Sequence, residues 1–142
     1  MGEFFTTTIR LILAFILGSV IGFERERKGG HAGLRTHILV CVGSALIMLT
    51  SIYVYGIYQE KTMVDPGRIA AGVVTGIGFL GAGTIIRSRE GVKGLTTAAS
   101  VWASAAIGLA VGCGYISAAL VGTIILYATL SLLKKVEKDI GK

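Results

Sequence analysis

The sequence predicts an all-α polytopic membrane protein, a bundle of five transmembrane helices with its N-terminus outside and its C-terminus in the cytoplasm. Three observations predict it. The chain of 142 residues is 53% hydrophobic and only 15% charged, against roughly 25% charged in a typical soluble domain. Its mean hydropathy is +0.75. Five apolar segments come close to the ~20 helical residues that span a bilayer core of about 30 Å. Alternate loops also differ sharply in charge. One side receives Arg25, Arg27, Lys28, Arg35, Arg87, Arg89, Lys93, Lys134, Lys135, Lys138 and Lys142, and the other only Arg10, Lys61 and Arg68. Basic loops stay in the cytoplasm, which sets the orientation.

Each segment has its own punctuation. The first covers about residues 4–23, contains Arg10 and stops at the charged run Glu24-Arg25-Glu26-Arg27-Lys28. Glu3 stands where a cleavable signal would carry a basic residue, so this reads as a retained span. The second covers about 36–55, just after Arg35. The third covers about 69–86 and follows Asp65-Pro66, an N-cap before a first-turn proline. The fourth covers about 96–112, with Thr96 and Thr97 as hydroxyl caps behind Gly94. Gly112-Cys113-Gly114 makes a tight turn into the fifth, about 115–133, and residues 134–142 form a polar cytoplasmic tail. Phe4, Phe5, Tyr53, Tyr55, Tyr58 and Tyr115 all fall near the outer interface, where amphipathic rings collect.

The third segment, IAAGVVTGIGFLGAG at 69–83, is crowded with glycine. Each glycine costs about 1 kcal/mol against alanine in an exposed helix. In a bilayer small residues let helix backbones approach. The segment therefore reads as the tightly packed centre of the bundle, through Gly72, Gly76, Gly78, Gly81 and Gly83. The GxxxG pairs Gly18/Gly22, Gly72/Gly76 and Gly108/Gly112 predict close contacts among helices one, three and four, and a homo-oligomer, most simply a dimer. Residues 76–81, GIGFLG, match a dinucleotide-binding spacing. No strand precedes them, so the glycines are read as packing residues.

Polar groups inside the spans are few. Arg10 lies about two turns from the outer end and reads as a snorkelling residue, a partner of Asp65 or a functional charge. Glu24 can pair with Arg35 or contribute to Mg²⁺ binding, although one carboxylate among several cations makes a poor isolated site. His31 and His37 lack a carboxylate at metal-ligand spacing. Thr75, Thr84, Thr96, Thr97, Ser100 and Ser104 read as hydrogen-bonding groups between helices. Cys41 and Cys113 read as small buried residues. No nucleophile–base pair, metal cluster or phosphate loop is present, so an enzyme is not expected, nor is a resident cofactor. The basic excess is accounted for by cytoplasmic loops, and nucleic acid is not an expected partner.

Taken together, RLILAFILGSVIGFERE (10–26), AGLRTHILVCVGSAL (32–46), DPGRIAAGVVTGIGFLGAGTIIR (65–87) and GLTTAASVWASAAIGLAVG (94–112) resemble the MgtC/SapB family of bacterial inner-membrane proteins. The resemblance implies a five-helix bundle in the cytoplasmic membrane. It carries over to Arg10, Glu24, Arg35, Thr36, Asp65, Arg68, the glycines of helix three and Gly94 through Thr97. Gly72 stands where members commonly have glutamine. Longer members continue into a soluble domain, so the short SapB-like form is the nearer comparison. The family is linked to magnesium-limited growth, stress adaptation and survival inside host cells. Its implied functions are regulation by contact with a membrane complex such as the F-type ATP synthase, or Mg²⁺ transport.

Overall fold

Five helices and one short antiparallel strand pair follow one another in the computed structural model, which describes residues 2–60, 63–89 and 91–133. They are α1 (Gly2–Arg27), α2 (Leu34–Tyr58), α3 (Pro66–Ala82), β1 (Ile86–Ser88), β2 (Gly91–Lys93), α4 (Leu95–Cys113) and α5 (Ile116–Ala128). The last turn of α5 widens into a π-helical stretch, Thr129–Leu133. α1, α2, α4 and the α5 stretch Ile116–Leu133 are each long and apolar enough to cross a membrane. α3 is a shorter apolar helix of 17 residues. The tail 134–142 and Lys61 lie outside the described residues.

The helices alternate in direction. At one end, called here the basic end, α1 and α5 finish while α2 and α4 begin. Lys28 after α1 reaches Ser131 after α5, and Arg25 on α1 reaches Thr97 on α4. At the far end Arg10 on α1 meets Gly112 at the close of α4.

α2 is the central helix. On α1, a Cβ added to Gly18 would lie 2.9 Å from His37 O, and one on Gly22 2.8 Å from Leu34 Cα. On α4, a Cβ at Gly108 would lie 2.1 Å from Cys41 O, and one at Gly112 2.6 Å from Ala45 O. Both neighbours thus press bare backbone onto α2. α4 also touches α1 and α3, in keeping with the expected grouping. Two GxxxG pairs work as packing sites, but their shared partner is helix two. Ala14, Leu17 and Ile21 of α1 close the core with Cys41, Ala45, Ile107, Val111 and Ala119. A second cluster joins Val73 and Ile77 of α3 to Val40, Val101 and Ala105.

The glycine-rich segment is not the centre of the bundle. α3 lies at its edge and buries only Ala70, Val73, Ile77 and Gly81. Gly72, Gly76 and Gly78 have no atom within 4 Å of an added Cβ, and Gly81 alone touches α4, at Ala98. Phe79 is 82% exposed. Glycine content shows where a backbone can be approached; it does not show that this chain supplies the approaching element.

α3 begins at an identifiable cap, whereas α4 has no side-chain cap, so Thr96 and Thr97 do not serve as its expected hydroxyl caps. Asp65 Oδ1 accepts from Gly67 N at 2.8 Å with Pro66 in the first turn, as the sequence predicts. Ser51 on α2 donates to Pro66 O and ties α3 to its neighbour. α3 stops at Ala82, four residues before the expected end, because Ile86–Ser88 and Gly91–Lys93 pair as antiparallel strands, with Ile86 opposite Lys93 and Arg87 opposite Val92. Gly94 returns the chain to α4 at φ +93°, where a Cβ would lie 1.9 Å from Thr84 O. No other residue fits that conformation and that contact.

Candidate functional site

The basic end holds the densest polar structure. Helical geometry turns successive side chains by about 100°, so three consecutive residues of the last turn of α1 point three ways. Glu24 is 1% exposed. Its Oε2 lies 3.3 Å from Arg27 Nη2 and its Oε1 3.2 Å from Lys28 Nζ. Lys28 Nζ also donates to Ser131 O at 3.3 Å. Arg25 Nη2 donates to Thr97 Oγ1 at 3.1 Å. Glu26 Oε2 accepts from Leu34 N at 2.8 Å and so caps α2, favourably placed for its macrodipole. The fit depends on Gly33, whose Cβ would fall 1.8 Å from that oxygen.

Behind this layer lies His37, which is fully buried. Its Nδ1–H donates to Gly33 O at 2.8 Å, and its Nε2 lies 3.0 Å from Ser100 Oγ. Ser100 Oγ is also 2.9 Å from Thr97 O. Hence α1 reaches α4 through Arg25–Thr97, and α2 reaches α4 through His37–Ser100. A buried polar group without such a partner costs several times what the bond itself contributes.

The far end is simpler. α4 closes in a Schellman motif: Tyr115 N donates to Ala110 O at 2.8 Å and Gly114 N to Val111 O at 3.0 Å. The next orphan carbonyl, Gly112 O, accepts from Arg10 Nη1 at 2.8 Å. Arg10 therefore does not pair with Asp65. It places a cation at the negative end of α4 and satisfies a carbonyl that the helix cannot.

The other sequence-derived candidates separate. Glu24 pairs within α1, not with Arg35. Arg35, Thr36, Arg68 and Thr96 are exposed, and Asp65 is an exposed cap, whereas Thr97 is buried in the Arg25 contact. Among the described residues, no three His, Cys, Asp or Glu side chains gather as a metal site. Glu24 is held between two cations, Arg27 and Lys28, and among the described residues no second carboxylate joins it. The sequence reading did not single out Arg25 and Glu26 or the pairing of His37 with Ser100. His37 and Ser100 are separated by 63 positions, and no spacing rule joins them. Glu26 was hidden inside a charged run of ordinary appearance.

The outward surface completes the class. Phe15, Phe23, Leu39, Phe79, Leu95 and Trp102 are all at least half exposed. Such a surface would aggregate in water and is solvated by lipid in a bilayer. The fold and this surface define a multi-pass α-helical membrane protein.

The family-level comparison is equally direct. The MgtC family model matches residues 11–139, and the chain belongs to that family. It is 45% identical over 126 residues to YhiD of Escherichia coli K12, which bears a provisional magnesium-transporter name; the match covers 87% of this chain and 59% of YhiD. It is 43% identical over 138 residues to MgtC of Salmonella typhimurium LT2, covering 97% of this chain and 57% of that protein. SrpB of Synechococcus elongatus is 39% identical over 145 residues, with 96% and 80% covered. The chain thus spans under two thirds of YhiD and MgtC. No solved structure matches it. The relatives and the long apolar helices are consistent with a bacterial inner membrane location.

Proposed function

We propose that this protein is a regulator in magnesium homeostasis that acts by helix–helix contact with another membrane complex, the membrane sector of the F-type ATP synthase being the candidate partner. The observation that carries the reading is the bare outer face of α3. Gly72, Gly76 and Gly78 have open space beside them, and Phe79 and Leu80 project past them at 82% and 53% exposure. Within the bilayer a small-residue face next to an aromatic ridge suits a second helix better than it suits lipid. A second copy of the chain is an alternative occupant of the same face.

Magnesium enters through the relative named as a transporter of that ion. For transport, a Mg²⁺ path needs oxygen ligands along its length. Among the described residues the buried carboxylate is Glu24, and it is neutralised by Arg27 and Lys28. This favours regulation over conduction.

Two measurements test the reading. The tagged full chain is purified from native bacterial membranes and probed for ATP synthase membrane subunits. Gly72→Leu with Gly76→Leu should abolish their recovery and leave the thermal melt unchanged. In parallel, Mg²⁺ uptake is followed in liposomes holding the wild type and Glu24→Gln. Uptake above protein-free liposomes that disappears in Glu24→Gln would establish transport and overturn the regulator reading.

A further inference from the structure

A cavity of about 560 Å³ opens at the basic end between the close of α1, the start of α4 and the end of α5. One wall is basic and hydroxylated: Arg25, Lys28, His31, Thr96 and Thr97. The lining also includes the apolar Leu95, Leu130 and Leu133. None of the described lining residues is acidic. Lys28 is ion-paired with Glu24, so among the described lining residues the Arg25 guanidinium supplies the positive charge that attracts an anion.

The Arg25 guanidinium is held in place before any ligand arrives. Its Nη2 is bonded to Thr97 Oγ1 at 3.1 Å. Its flat side rests on Gly30, where an added Cβ would lie 2.9 Å from Nη2 and 3.0 Å from Nε. Its Nε is buried and has no hydrogen-bond partner. α4 adds to the field. Its N-cap is Gly94 and no side chain caps its first turn, so the positive end of a 19-residue helix faces the same opening.

We propose that this cavity binds a phosphate-bearing anion, with Arg25 as its fork and the first turn of α4 as backbone donor. Guanidinium geometry matches phosphate oxygens in pairs. The chemistry is shared by a phospholipid headgroup and free phosphate. The apolar part of the lining suits the headgroup, whose glycerol and upper acyl carbons would lie against Leu130 and Leu133. The site is independent of the α3 face, so loss of either leaves the other standing.

The test uses the full chain in nanodiscs of phosphatidylethanolamine alone and of phosphatidylethanolamine mixed with phosphatidylglycerol. A third arm adds inorganic phosphate to the zwitterionic discs. Retained lipid is counted by native mass spectrometry and stability is followed by thermal melting. The expected result is retained phosphatidylglycerol and a raised melting temperature. Stabilisation by inorganic phosphate alone would assign the site to free phosphate and also support the proposal. Arg25→Gln should weaken binding about tenfold, the equivalent of one lost charge-assisted contact. Should that variant fail to fold, Gly30→Ala keeps every charge but pushes the guanidinium aside, and binding should weaken in the same direction. No response in any arm, or equal response in wild type and in folded variants, overturns the proposal.

Discussion

His37 of α2 and Ser100 of α4 meet at 3.0 Å between ring nitrogen and hydroxyl, one turn inside the basic end and sealed from solvent. With Nδ1–H given to Gly33 O, Nε2 is an acceptor, and the single Ser100 hydroxyl proton is shared between it and Thr97 O. Ser100→Ala should therefore orphan the nitrogen and lower stability by about 1–3 kcal/mol. The paired variant with His37→Leu should lose less than the two single variants summed, a coupling of about 1 kcal/mol. Thermal or denaturant melts in one detergent measure all four corners of the cycle. Simple additivity would mean that the contact contributes nothing.

The glycines fall into two groups with opposite expectations. At Gly108 an added methyl meets the Cys41 carbonyl at 2.1 Å, and at Gly112 the Ala45 carbonyl at 2.6 Å. Backbone cannot step aside as a side-chain tip can, so Gly108→Ala should cost about 1–3 kcal/mol or more by overpacking. Gly72→Ala and Gly76→Ala meet nothing and should leave the melting temperature of the isolated protein unchanged or slightly raised. If all three variants melt alike, α2 is not gripped as described.

Arg10 should prove structural. Arg10→Leu leaves Gly112 O without its donor and removes the cation from the end of α4, at an expected cost of about 1–3 kcal/mol. The protein should still reach the membrane, because the Schellman bonds of Gly114 and Tyr115 remain. Arg10→Lys should recover part of the loss, since an ammonium keeps the charge but not the fork. A melt of Arg10→Leu equal to wild type would return Arg10 to the role of a snorkelling interfacial residue.

The readable part of this chain was whatever a single segment encodes. Five apolar runs, the Asp65-Pro66 start of α3 and the Gly112–Gly114 turn all express local chemistry; each run contains a helix, although α3 stops at Ala82. What a segment packs against is a property of two segments. For that reason glycine spacing correctly marked Gly18, Gly22, Gly108 and Gly112 as contact points but could not name α2 as their partner. For the same reason it made α3 the centre when α3 is an edge. The strand pair was missed because Ile86–Ser88 and Gly91–Lys93 are too short and too polar to announce strands by periodicity. At the basic end the charges were visible, but their destinations were not. Glu26 capping α2 and Arg25 reaching Thr97 depend on how α1 is rotated about its axis.

Topology remains to be tested directly, and the structure sharpens the test. Arg25, Arg27, Lys28 and Thr97 share one end with the start of α2, while Arg10 and Gly112 share the other. The excess of basic residues therefore acts on a single face of the bundle, which the positive-inside rule assigns to the cytoplasm. A green fluorescent protein fused to the C-terminus should fluoresce, and alkaline phosphatase fused there should be inactive. Arg27 is 59% exposed at its side chain, and Arg87 and Arg89 are exposed. Replacing Arg87 and Arg89 with glutamine should therefore dilute the orientation signal with little damage to the fold, while Arg27 is kept to balance the buried Glu24. The expected result is a mixed population in which both reporters give signal. Active phosphatase on the wild-type C-terminus would reverse the assignment, place the phosphate-binding cavity on the outer face, and exclude an inner-leaflet headgroup as its ligand.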